Sequence, residues 1–130
     1  MRLLLDTQSW LWLQASPDRL NQQAFKLLGD PTVELLLSAA SSWEIAIKYA
    51  RGKLPLPLAP AEYVPDRMRL SGVAALPVTH SHALHVANLP HHHRDPFDRL
   101  LIAQAQLDGL TILTADKVFE QYDVPVLWAA

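Results

Sequence analysis

Four carboxylates stand where acids can cooperate in chemistry. Asp6 ends the apolar run Leu3-Leu4-Leu5, Asp116 comes three residues after Leu113, Glu44 begins the helical pattern after Val33 to Leu37, and Asp98 sits in the first turn after Pro96. Ile102 and Ala105, at i+4 and i+7 from Asp98, are apolar, so that carboxylate is directed toward packing. A buried anion needs a cation, a hydrogen-bond donor or a proton. Four such groups at one end of a sheet repel one another and raise one another's pKa unless a cation neutralises them. With no cysteine in the chain, the donors are all oxygen and suit the hard ions Mg²⁺ or Mn²⁺ better than Zn²⁺. The chemistry that follows is hydrolysis of a phosphodiester by ion-activated water, without a protein nucleophile.

Each acid also has a structural explanation. Asp6 and Asp116 can cap the segments that follow them, and Asp95-Pro96 places a capping acid before an N1 proline. Ser41-Ser42-Trp43-Glu44 fits a capping box, and Glu44 with Lys48 has the favourable order for an i, i+4 ion pair. Capping explains the acids singly; their convergence favours a metal.

The elements that must position them alternate. Short apolar runs at Leu3 to Leu5, Val33 to Leu37, Ala74 to Val78, Leu110 to Leu113 and Val124 to Leu127 read as strands, the last at an edge because of Pro125. Helical patterns cover Ser9 to Gln14, Leu20 to Leu28, Ser42 to Arg51, Ala61 to Leu70, Ser81 to Leu89 and Pro96 to Leu107. This is α/β patterning, expected to form a mostly parallel sheet covered on both faces, with ligands beyond the carboxyl ends of the strands. The chain has 130 residues, is 50% hydrophobic and shows no linker or repeat, so residues 1–130 read as one domain. Its net charge of −2 argues against binding nucleic acid by bulk charge. Asp6 interrupts the N-terminal apolar run before a signal core or membrane span is complete, and the absence of cysteine suits a reducing compartment. A cytoplasmic protein without a membrane partner is the expectation.

The segments LLLDT at 3–7, SAASSWEIAIK at 38–48, RDPFDRLLIAQA at 94–105 and LTAD at 113–116, followed by Phe119, carry a resemblance. In these the chain resembles the PIN-domain ribonucleases of the VapC toxin type. The resemblance implies a PIN-like three-layer domain with a central sheet of four to five strands. It also implies Mg²⁺- or Mn²⁺-dependent cleavage of RNA, an antitoxin partner and a homodimer. By position, Asp6, Glu44 and Asp98 match the family's three principal metal-coordinating acids, and Asp116 matches the fourth. Asp95 matches the first acid of the D-P-F-D motif and is expected to support the ligands, as are Thr7 and Thr114 within their motifs. Gln8 stands where many members carry histidine.

Lys48, Arg51 and Lys53 form the nearest basic stripe and are the candidate substrate-binding residues; Arg67 and Arg69 lie further on. His91-His92-His93 reads as a solvated loop, with one histidine free to meet a phosphate or assist proton transfer. Neither this run nor His80, His82 and His85 enters the metal set. Trp10, Trp12, Trp43 and Trp128 read as core; Trp43, Ala46, Ile47 and Ala50 form an apolar stripe opposite a solvent-facing Glu44. Apolar residues near Trp10 to Leu13 and in 61–70 are candidates for an antitoxin or dimer groove. Two other functions compete. Phosphoryl transfer through an aspartyl-phosphate at Asp6 lacks the second Asp and the later Lys that such enzymes use. A non-catalytic PIN-like module binding RNA or protein would use the acids only as caps.

Overall fold

In the computed structural model, which describes residues 1–130, five strands form one parallel sheet. The strands are β1 (Arg2–Leu5), β2 (Glu34–Ser38), β3 (Val73–Leu76), β4 (Thr111–Thr114) and β5 (Val126–Trp128), in the order β3-β2-β1-β4-β5. The helices are α1 (Thr7–Ala15), α2 (Gln22–Leu28), α3 (Ala39–Ala50), α4 (Pro60–Ser71), α5 (His80–His85) and α6 (Pro96–Asp108). No helix is long and apolar enough to cross a membrane.

β1 is central because both its faces are apolar. Leu3 and Leu5 point into one core with Trp10, Leu35, Leu37, Ile45 and Tyr63, and Leu4 points into the other with Leu36, Leu101, Ile102, Ile112 and Phe119. Successive strand side chains alternate between faces, so a continuous leucine run fits only a sheet covered on both sides. Each fully buried leucine contributes roughly 1.5–3 kcal/mol of transfer free energy. The register pairs Leu5 with Leu37 of β2 and with Leu113 of β4, which brings three strand ends to one edge. β5 lies at the outer edge, and Pro125 precedes it, its carbonyl accepting from the Ile112 N–H at 3.0 Å.

The differences from the sequence reading are local and have local causes. α3 begins three residues before the expected start because Ser38, not Ser41, is its cap; the Ser38 hydroxyl accepts from the Ala40 N–H at 3.0 Å. α2 starts at Gln22 because Asn21 caps it through the Ala24 N–H at 2.8 Å. The expected helix at Ser81 to Leu89 divides into α5 and a 3₁₀ turn at Val86–Asn88. Gly109, at φ 67°, closes α6 in the left-handed conformation that lets the chain turn directly into β4.

The face of α3 that packs inward differs from the expected stripe. The buried side carries Ala40, Ser41, Glu44 and Ile45, while Ala46 and Ala50 are exposed. Trp43 is 61% exposed and meets the Phe97 ring edge-on at 5.3 Å, so it is not core. Of the other tryptophans, Trp10 is fully buried, Trp12 half-buried and Trp128 exposed.

Candidate active site

The carboxyl edge of the sheet holds an open cleft of about 360 Å³ lined by Asp6, Thr7, Gln8, Glu44, Asp95, Asp98, Ala115 and Asp116. Asp6 enters it directly from β1. Its Oδ1 accepts the Ser9 N–H at 2.8 Å, capping α1, and its Oδ2 accepts from the Thr114 hydroxyl at 2.6 Å. Thr114 ends the neighbouring β4, and its oxygen accepts the Asp116 N–H at 3.0 Å, tying the two acid-bearing turns together. Burial pushes the Asp6 carboxyl above its ordinary value, against the pull of the Ser9 and Thr114 donors and with a further push from Asp116.

Glu44 is only 7% exposed. The expectation of a solvent-facing Glu44 in a capping box therefore fails: Ser38 takes the capping role, and Glu44 lies on the inward face of α3 with Ala40, Ser41 and Ile45. Thr7 Oγ1 lies 2.6 Å from Glu44 Oε1 and 2.9 Å from Ser41 Oγ. A hydroxyl has one hydrogen and a carboxylate only accepts, so Thr7 donates to Glu44 and Ser41 donates to Thr7. Lys48 Nζ holds the other carboxylate oxygen at 2.6 Å, as the i, i+4 spacing implies.

Asp98 lies in the first turn of α6. Asp95 caps that helix through the Phe97 and Asp98 N–H groups at 2.9 and 3.1 Å, and Pro96 occupies the first helical position. Burial, then the carboxylates of Asp95, Asp6, Glu44 and Asp116, push the Asp98 carboxyl from 3.8 up to about 8. Asp116 caps the 3₁₀ turn Lys117–Gln121 through the Val118 N–H at 3.1 Å.

These side chains test the fit of a metal. They are all oxygen donors, they carry a surplus of negative charge, and one of them takes up a proton to relieve it. No three of them form a ready-made cage around a single point. That arrangement suits a hard divalent ion that keeps several waters and takes a few carboxylates, more than a dedicated all-protein site.

A family model described as PIN domain matches residues 3–125. The chain belongs to the PIN domain family. Ribonuclease VapC16 of Mycobacterium tuberculosis (strain ATCC 25618 / H37Rv) is 54% identical over 59 residues, 45% of this chain and 42% of that relative. The match thus spans less than half of the relative's length. Among solved structures, VapBC2 from Rickettsia felis bound to a promoter DNA fragment is similar over all of both chains, with a TM-score of 0.76 and 12% identity. DNA-bound VapBC from Salmonella typhimurium has a TM-score of 0.67 at 17% identity, over 100% of this chain and 99% of that one. FitAcB from Neisseria gonorrhoeae has a TM-score of 0.62 at 22% identity, over 96% of each chain. At such identities the likeness is one of fold.

In this PIN domain the expected site residues divide into two groups. Asp6, Glu44, Asp98, Asp116, Asp95 and Thr7 line one cleft, and Thr114 lies directly behind Asp6. Lys48, Arg51 and Lys53 do not line it. Lys48 reaches it through Glu44, whereas Arg51 and Lys53 are exposed at the far end of α3. Tyr122 and Arg99 carry no role in the sequence pattern, and Ser41, expected as a cap, instead meets Thr7 at 2.9 Å. His93, read as part of a solvated loop, is half-buried, with Nε2 3.3 Å from Asp98 Oδ2 and Nδ1 2.7 Å from the Tyr122 hydroxyl. His91 and His92 are exposed, as expected of that loop. No local pattern marks His93, because its partners come from the helix that follows and from the turn before β5.

Proposed function

We propose that this chain is a divalent-metal-dependent endoribonuclease, the toxin of a toxin–antitoxin pair, with Asp6, Glu44, Asp98 and Asp116 holding Mg²⁺ or Mn²⁺. The observation that carries the reading is the meeting of these carboxylates from four separate segments in one cleft. Capping accounts for Asp6, Asp95 and Asp116. It does not account for Glu44 or Asp98, whose side chains cap nothing and are held close to other acids.

A bound divalent ion supplies positive charge to phosphate oxygens and acidity to water. The chain's own residues prepare for it. Ser9 and Thr114 hold Asp6 at both oxygens, and Thr7 and Lys48 do the same for Glu44. Asp98 carries the proton that must leave when a cation arrives, so metal uptake is coupled to proton release. Lys48, at the cleft edge, followed by the exposed Arg51 and Lys53, offers a route for an RNA backbone.

RNA as substrate is supported by the relative named a ribonuclease, and an antitoxin partner by the VapBC complexes that share the fold. A groove whose lining includes Leu11, Trp12, Ala15, Leu54, Leu56 and Tyr63 beside the polar Gln8, Ser16 and Arg19 offers a partly apolar seat for such a partner, and a homodimer is the assembly that the family resemblance implies. A nuclease of this kind acts in the cytoplasm, where its RNA is. The test is incubation of the purified chain with labelled single-stranded RNA, with Mn²⁺ or Mg²⁺ or with EDTA, beside Asp6→Asn. Metal-dependent cutting by the wild type alone is the expected result; equal cutting by both proteins refutes the assignment.

A further inference from the structure

His93 lies on the loop entering α6, and its side chain is 17% exposed. It is not a wall of the acidic cleft but stands behind Asp98, and it is the one side chain hydrogen-bonded to that carboxyl group. On its other side, Nδ1 lies 2.7 Å from the Tyr122 hydroxyl, which in turn receives an N–H from the buried Arg99 guanidinium at 3.0 Å. A phenol has a single hydrogen. With Arg99 donating into its oxygen, the acceptor within reach of that hydrogen is His93 Nδ1. The imidazole hydrogen then sits on Nε2, aimed at Asp98.

The far end of this relay is anchored to backbone. Arg99 Nη1 also donates to the Pro90 carbonyl at 2.7 Å, and Nη2 donates to the Val86 and Leu89 carbonyls, both at 3.4 Å. The His93 and Tyr122 rings pack edge to face with centroids 5.4 Å apart. Orientation therefore runs from a buried guanidinium, through a phenol and an imidazole, to one oxygen of a carboxylate in the cleft.

We propose that His93 is a positioning residue for the metal: Arg99 and Tyr122 hold its ring as an Nε2–H donor, which fixes one oxygen of Asp98 and leaves the other for a divalent cation. The inference rests on the metal-dependent reading above. Groups that orient metal ligands in this way typically change metal affinity ten- to hundredfold when removed.

The experiment is Mn²⁺ binding to the purified full chain, read as the electron paramagnetic resonance signal of free Mn²⁺, with circular dichroism to check folding. The proteins are wild type, Asp98→Asn, His93→Phe, His93→Gln, Tyr122→Phe and the double variant His93→Phe with Asp98→Asn. His93→Phe is expected to weaken Mn²⁺ binding about tenfold, and His93→Gln, which keeps an N–H donor, to recover part of the loss. Tyr122→Phe should weaken binding in the same direction by less, since the imidazole remains but its tautomer is freed. The double variant should bind no more weakly than Asp98→Asn alone, because the histidine acts through that carboxylate. Wild-type affinity in His93→Phe, no advantage of Gln over Phe, or additive losses in the double variant each overturn the proposal. If His93→Phe does not fold, Tyr122→Phe decides, and wild-type affinity there is a refutation. If Asp98→Asn binds Mn²⁺ as tightly as wild type, the metal reading fails, and the role of His93 falls with it.

Discussion

The protonation of Asp98 gives the sharpest test of the site's electrostatics. In the metal-free protein its carboxyl is pushed from 3.8 up to about 8, first by burial and then by Asp95, Asp6, Glu44 and Asp116. Between those values the folded chain holds a proton that the unfolded chain has released. Stability contributed by this group is therefore fully present below about pH 4 and is lost as pH rises through about 8. From about pH 5 to 8 the change spans about three units at about 1.4 kcal/mol each, a ceiling near 4 kcal/mol. The Asp98 side chain is 20% exposed, and discounting for solvent screening leaves about 2 kcal/mol. Asp98→Asn keeps an oxygen that accepts from His93 but does not titrate. In EDTA, the stability of Asp98→Asn relative to wild type should therefore rise by about 2 kcal/mol between about pH 5 and 9. Urea denaturation followed by tryptophan fluorescence at the two pH values measures this. With saturating Mn²⁺ the proposed role of Asp98 as a ligand reverses the sign, because an ion on that carboxylate would make wild type gain stability as pH rises. A constant offset between the two proteins across the whole pH range would refute the placement of Asp98 in a crowded, desolvated acid cluster.

Further outcomes follow from single contacts. Thr7→Val removes the donor to buried Glu44 and should cost roughly 1–3 kcal/mol by denaturant titration; a loss within error would mean that Glu44 finds water instead. Thr114→Val removes a donor that lowers the Asp6 pKa, so the acidic limb of any Mn²⁺-dependent cleavage profile should move to higher pH; an unmoved limb would count against the pairing. Lys48→Met leaves the buried Glu44 carboxylate without its cation and should cost roughly 1–3 kcal/mol, while weakening RNA binding in a filter assay at low salt; unchanged RNA affinity would remove Lys48 from the substrate path. Ile102→Ala, at a fully buried position beside β1 and β4, should cost about 2–5 kcal/mol, read as a lower thermal midpoint.

The alternation of short leucine-rich runs and amphipathic stretches was enough to set the class of the fold, because both signals are local: a run apolar on both faces suits only a strand covered on both sides. The acids at the ends of those runs were legible for the same reason. A parallel sheet delivers every strand's carboxyl end to one edge, so Asp6 and Asp116 meet although they are far apart in the chain. The capping roles of Asp6, Asp95 and Asp116 were also local, since each involves residues two or three positions away. Tertiary structure decided what depends on rotation and on distant partners. Which face of a helix is buried is set by what packs against it, and α3 turns the Ala40, Ser41, Glu44 and Ile45 side inward, which puts Glu44 in the cleft and Trp43 outside the core. Thr7 meets Glu44, and Thr114 meets Asp6, only because neighbouring strands and helices close on one another. The relay from Arg99 through Tyr122 and His93 to Asp98 joins residues from α6, the turn before β5 and a loop, and no periodicity along the chain encodes a contact assembled from three such places.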